Sequence, residues 1–161
     1  MPSKPLFEEL DYRETPLGEL ILRRRTVQSL DNLDVHEILL GDGYLMSSLF
    51  TVVEVALSKL GLAAAADAST DGNLDVVVGG LGLGYTARAA LENPAVRDLL
   101  VVDYLAPVIE WHEQGLVPLG PELTADPRCH FVLGDFFKRA LPDPGEPGFD
   151  GDHPNLSLIH I

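Results

Sequence analysis

Cysteine is almost absent from this chain: Cys129 is the only one in 161 residues, which excludes an internal disulfide framework. Positive charge is scarce too, with 11 Lys and Arg against 25 Asp and Glu and a formal net charge of −14. A phosphate backbone needs clustered cations to replace its counterions, so nucleic acid is not an expected partner. The acidic balance suits a cationic amine, and equally a solvated surface that keeps a protein soluble. No apolar run reaches the roughly 20 residues that cross a bilayer, so neither a membrane nor a secretory leader is expected, and the cytoplasm is the expected location. Metal-ligand spacing is also missing: His36, His112, His130 and His153 are scattered, with no Cys-x-x-Cys or His-x-x-x-His pattern. The Gly-x-Ser-x-Gly elbow of serine hydrolases and the lysine of a phosphate-binding P-loop are lacking as well. What remains, 46% hydrophobic and 22% charged residues, is ordinary for a globular chain with one core.

The informative stretch runs from Asp75 to Gly84. Val76-Val77-Val78 reads as a buried strand, and Gly79-Gly80-Leu81-Gly82-Leu83-Gly84 as the loop that closes it. About 20 residues beyond Gly84, a second apolar run, Leu99-Leu100-Val101-Val102, ends on Asp103. A third, His130-Phe131-Val132-Leu133-Gly134, delivers Asp135. Helical segments fill the intervals, Tyr85 to Glu92 stopped by Asn93-Pro94 and Leu105 to Gln114 stopped by Gly115. Strands alternating with helices predict right-handed parallel crossovers, hence an α/β, Rossmann-like parallel sheet with Gly, Asp and Asp gathered at its carboxyl edge. Ligands lie along that edge in open sheets.

Each residue type there has a chemical use. Gly lets the backbone approach a ligand closely. A carboxylate on the second strand can accept hydrogen bonds from both ribose hydroxyls, and one on the third is placed for an adenine amino group. The candidate nucleoside-binding residues are therefore Gly80, Gly82, Gly84, Asp103, Tyr104 and Asp135. Asp135 has a second reading, as N-cap of a helix that starts at Phe136. The dinucleotide fingerprint requires a small residue where Tyr85 stands, so the spacing Gly80-x-Gly82-x-Gly84 argues against NAD.

Residues 1–45 read as a small β-hairpin region. Leu20-Ile21-Leu22, Val27 and Ile38-Leu39-Leu40 supply short strands, Gly41-Asp42-Gly43 a turn, and Met1 to Glu9 a loose arm. Arg23-Arg24-Arg25 reads as a solvated strand edge guarded by charge, with contact to an anionic ligand as the alternative. Residues 46–141 read as the nucleoside-binding unit, the N-terminal half of a Rossmann-like domain. A helix is expected from Ser47 or Ser48 to Gly61, with Leu49, Val52, Val53, Ala56, Leu57 and Leu60 packed on the sheet and Met46 and Phe50 in the core. Ala63 to Ala66 read as its fraying end. Trp111 and His112 are expected at a helix–sheet seam, with a place beside the adenine or in a pocket wall as the alternative. Residues 142–161 read as an irregular tail, because Pro142, Pro144, Pro147 and Pro154 deny regular structure. Its last segment, Leu156 to Ile161, looks like a translated sequencing adapter lying outside the fold, with a genuine short strand as the alternative.

From about Tyr12 to Asp135 the sequence resembles the spermidine synthase family of polyamine aminopropyltransferases and the related class I S-adenosylmethionine-dependent methyltransferases. The matching residues are Val78 to Gly84, Val101-Val102-Asp103, and Asp126-Pro127-Arg128 followed by Phe131 to Asp135. Thr15 to Leu22 and Val35 to Leu40 are similar to the hairpin region that precedes the catalytic domain in aminopropyltransferases and that ordinary methyltransferases usually lack. The resemblance implies transfer of an aminopropyl group from decarboxylated S-adenosylmethionine to putrescine or a similar amine, without a metal. Asp103 would hold the ribose and Asp135 the adenine side, and a homodimer is a compatible assembly. Methyl transfer from S-adenosylmethionine is the alternative chemistry, and a non-catalytic nucleoside-binding protein the alternative class. Two departures stand out: Leu83 stands where the family usually has an acidic residue, and the acid-rich motif after a fourth strand, the source of the family's proton acceptor, is missing. Catalytic residues are therefore unassigned, with Asp152 as a displaced candidate. The chain reads as the front part of a longer protein, inactive as it stands.

Overall fold

The computed structural model describes residues 5–68, 72–146, 148 and 149, and the backbone of 156–160. Its first sheet is antiparallel, with β1 (Phe7–Thr15), β2 (Gly18–Val27), β3 (Leu33–Leu40) and β4 (Gly43–Ser47) side by side in chain order. Short polar turns set this order. In the β2–β3 connection Asp31 and Asn32 adopt left-handed backbone, φ 52° and 58°, which these residue types tolerate through local hydrogen bonding. Strand alternation then puts Leu20, Leu22 and Ile38 on one face, where all three are fully buried.

Two expectations for this region are corrected. β1 begins at Phe7, and Phe7, Glu8 and Glu9 pair with Arg25, Arg24 and Arg23, so the loose arm does not extend to Glu9. The arginine triplet is not a solvated edge: β2 lies inside the sheet, and alternation divides the triplet between its faces. Arg23 and Arg25 each donate to Glu37 at 2.7 Å, whereas Arg24, buried on the other side, pairs with Glu8 and Asp34 at 2.8 and 3.1 Å. The carboxylates across the strands outcompete water because they reach the guanidinium groups without leaving the sheet.

The helix α1 (Val52–Ala68) starts later than expected and runs through Gly61 and the alanines. Alanine is the strongest helix former, and one interior glycine costs only about 1 kcal/mol. Met46 lies in β4 rather than on this helix, and Phe50, Val52, Val53 and Leu60 are exposed rather than packed on the sheet, with Ser58 and Leu62 buried instead. Twelve of the 17 residues of α1 are Val, Leu or Ala, spread over all its sides, so its periodicity could not choose a face.

The second sheet is parallel, with strand order β7-β6-β5-β8. β5 (Leu74–Gly79) is buried along its whole length and is followed by α2 (Tyr85–Leu91), β6 (Val96–Asp103) and α3 (Ala106–Glu113). A short α4 (Gly120–Ala125), not expected from the sequence, precedes β7 (Cys129–Leu133) and α5 (Phe136–Ala140). One cluster of buried residues joins both sheets: Leu20, Leu22 and Ile38 belong with Val76, Val78, Leu81, Leu83 and Trp111.

The terminal segment corrects the expectation that it lies outside the fold. β8 (Leu156–His160) pairs in parallel with β5, from Asp75 opposite Leu156 to Gly79 opposite His160. Without it β5 would present an open row of N–H and C=O groups, and a short extended segment of β-compatible residues satisfies them. Asp152 lies outside the described residues. No helix among the described residues is long and apolar enough to cross a membrane.

Candidate functional site

β5, β6 and β7 end at one edge of the parallel sheet, and a cavity of about 410 Å³ opens there. Gly80, Asp103, Tyr104 and Asp135 line it, and Leu17, Leu40 and Leu45 of the first sheet close one side. Phe136 and Phe137, from the start of α5, close another. Four of the six residues singled out in the sequence therefore share one wall.

Gly82 and Gly84 do not. They sit at φ +51° and +89°, in the left-handed region that favours glycine, but a Cβ on Gly82 would lie 2.6 Å from Met46 Sδ. One on Gly84 would lie 2.5 Å from Leu123 Cδ1 and 3.1 Å from His112 Nε2. These glycines allow close packing of protein on protein, not approach to the cavity. Leu81 and Leu83 are likewise buried, so the loop offers the cavity backbone alone.

Asp103 organises that backbone. The residue is 8% exposed, and its carboxylate accepts hydrogen bonds from the Leu81 and Leu105 amides, both at 2.8 Å. Burial pushes its pKa above the ordinary carboxylate value, against the pull of the Leu105, Leu81 and Gly82 amides and of nearby His112. Asp135 uses Oδ1 to cap α5, accepting from Phe137 and Lys138 at 3.0 and 3.2 Å, so its N-cap role is realised at the cavity wall. Tyr104 stands 54% exposed beside it.

Trp111 and His112 are both fully buried at the seam and away from the cavity. The Val108 carbonyl, 2.9 Å from His112 Nδ1, requires the proton on that nitrogen. Nε2 is enclosed and makes no hydrogen bond. Burial holds the His112 pKa below its ordinary 6.5, outweighing the Val108 and Leu83 backbone groups and the Asp103 charge. The folded state thus keeps His112 neutral where the unfolded chain takes up a proton. Stability is expected to fall as pH drops below 6.5, by up to about 1.4 kcal/mol per pH unit until the folded imidazole also protonates. Urea titrations at stepped pH check this: His112→Gln should flatten the slope, and an unchanged slope would assign it to another group.

Sequence reasoning missed the apolar walls. Phe136-Phe137, directly after Asp135, were legible as neighbours of the site, whereas Leu17, Leu40 and Leu45 reach it only because the two sheets dock. Among the described residues, no three His, Cys, Asp or Glu side chains cluster to hold a metal ion.

No family model and no curated protein matches this chain. Solved structures do. Spermidine synthase from Thermotoga maritima superposes with a TM-score of 0.64 at 14% identity, over 81% of this chain and 41% of that one. A spermidine synthase in complex with the transition-state analogue AdoDATO gives 0.61 at 15% identity, over 78% and 39%. A probable spermidine synthase from Corynebacterium glutamicum gives 0.50 at 17%, over 82% and 46%. The chain thus spans less than half the length of these structures, and over that span it has their fold: a small antiparallel sheet leading into a parallel, methyltransferase-like α/β sheet.

Proposed function

We propose that the cavity binds an adenosyl ligand and that the chain belongs to a spermidine synthase-like aminopropyltransferase. The observation that carries this is the composition of the cavity: apolar walls, two carboxylates, and no Lys or Arg. Such a site suits a nucleoside that bears a sulfonium cation and lacks phosphate, which is the chemistry of decarboxylated S-adenosylmethionine. NAD, with two phosphates, would meet no counter-charge. Asp103 is the ribose acid, Tyr104 and Asp135 the adenine side, and Gly80 the point of backbone approach. The amine nitrogen of putrescine or a similar acceptor attacks the carbon beside sulfur, the C–S bond breaks, the thioether leaves, and the nitrogen loses a proton. The protein supplies alignment and a proton acceptor. None of the described residues is assigned as that acceptor, and methyl transfer from S-adenosylmethionine uses the same binding site.

A second reading, a nucleoside-binding protein without catalysis, is favoured by one observation: Leu83 is fully buried where the resembling family usually carries an acid. Calorimetric titration tests both. S-adenosylmethionine or its decarboxylated form should bind and NAD should not. Asp103→Asn, which retains one acceptor for the loop amides, should weaken adenosyl binding by about 1–3 kcal/mol. Tight NAD binding refutes the assignment. Binding without turnover, in both this chain and a full-length version given decarboxylated S-adenosylmethionine and putrescine, selects the second reading.

A further inference from the structure

We infer that Met46 is a positioning residue of this site, its sulfur holding the glycine loop in the backbone conformation that shapes the cavity. The functional consequence rests on the adenosyl-binding reading above; the structural role does not. Met46 is carried on β4, where Ile38 of β3 stands opposite and the register shifts immediately beyond. Three loop amides find acceptors within that sheet: Gly80 donates to the Val102 carbonyl, Leu81 to Asp103, and Gly84 to the Leu81 carbonyl, all at 2.8 Å. Leu83 instead crosses to the other sheet, donating to Met46 Sδ at 3.0 Å. Because Leu83 is fully buried, losing the sulfur strips an enclosed donor of the acceptor it has here.

The same sulfur also fills space. A Cβ on Gly82 would lie 2.6 Å from Sδ, so Met46 occupies the place that a side chain there would take. An unbranched thioether suits both duties, being flexible enough to fit an irregular gap and able to accept a weak hydrogen bond. The cavity wall at Gly80 and the packing at Gly82 and Gly84 lie on one stretch of loop, so a shift at Leu83 moves the surface that meets the ligand. The N-terminal sheet thereby acts on the site through a residue that does not line it.

Met46→Leu keeps the volume and removes the acceptor, and Met46→Gln restores an acceptor. Amide hydrogen exchange followed by NMR should show Leu83 exchanging about tenfold faster in Met46→Leu, with the amides of β5 and β6 unchanged and Gln returning Leu83 toward the original rate. Affinity for S-adenosylmethionine should fall by a similar factor in Met46→Leu and recover in Met46→Gln. An unchanged Leu83 rate, or an equal rise at every core amide, overturns the inference. If the unsubstituted chain fails to bind any adenosyl ligand, the site reading falls while the exchange data still judge Met46.

Discussion

Trp111→Ala should destabilise the chain by about 3–5 kcal/mol, a large share of the 5–15 kcal/mol that holds a typical domain together. Trp111 is fully buried, and its indole N–H donates to Asp11 Oδ2 at 2.7 Å, so one side chain both fills the seam between the sheets and ties them. Nearby, Arg13 reaches Glu110 at 3.2 Å, but both side chains are about 40% exposed and the pair contributes little. The two parts of the effect separate by mutation. Asp11→Ala should cost about 1–3 kcal/mol, because it strands a buried donor, and Asp11→Asn much less. Urea unfolding followed by fluorescence of the sole tryptophan measures the Asp11 variants, and circular dichroism the Trp111 variant. A loss below about 1.5 kcal/mol for Trp111→Ala would mean that the seam is dispensable.

Glu37→Ala is the second large effect, expected near 3 kcal/mol. The carboxylate is 1% exposed and takes a hydrogen bond from each of Arg23 and Arg25, so its removal leaves two cations facing each other across a vacated site. Breaking a buried pair costs about 3–5 kcal/mol; the low end applies because Arg23 and Arg25, 22% and 37% exposed, can regain water. Burial pushes the Glu37 pKa up, yet the hydrogen bonds and charges of Arg25 and Arg23 together bring it below the ordinary 4.5. Its contribution is therefore present above pH 4.5 and lost as pH falls through the folded value. Denaturation of wild type and Glu37→Gln at pH 7 and at pH 3.5 should show the difference between them shrinking in acid. A constant difference would show that the charge on Glu37 is irrelevant.

The parallel sheet was legible because its signals are local and redundant. Val76 to Val78, Leu99 to Val102 and Phe131 to Leu133 are apolar runs too short for helices, and each ends in Gly or Asp. The N-terminal sheet was legible only in part, since Phe7-Glu8-Glu9 carries no apolar alternation and becomes a strand because Arg25, Arg24 and Arg23 stand across from it. In α1 the difficulty was the reverse: apolar residues on every side leave the buried face to the tertiary structure. The Gly-x-Gly-x-Gly spacing pointed to a loop that borders the cavity, but not to the fact that Gly82 and Gly84 turn toward Met46 and His112, which are distant in sequence. Asp135 caps α5 and lines the cavity at once. Leu156 to His160 escaped because pairing with β5 depends on an open edge, a property of the sheet and not of the segment.

The bond between Asp11 and Trp111 spans 100 residues of chain, and that separation has a consequence for biosynthesis. The hairpins of the first sheet join near neighbours and can close as they emerge, on a timescale of microseconds. Their inner face, with Leu20, Leu22 and Ile38, shares one buried cluster with residues as late as Leu123, so it waits for later parts of the chain. At about 5–20 residues per second, translation of those 100 residues takes on the order of 5–20 s. During that interval a nascent chain with a finished sheet and an open apolar face is a substrate for chaperones, until the later core residues, Trp111 among them, arrive to cover it.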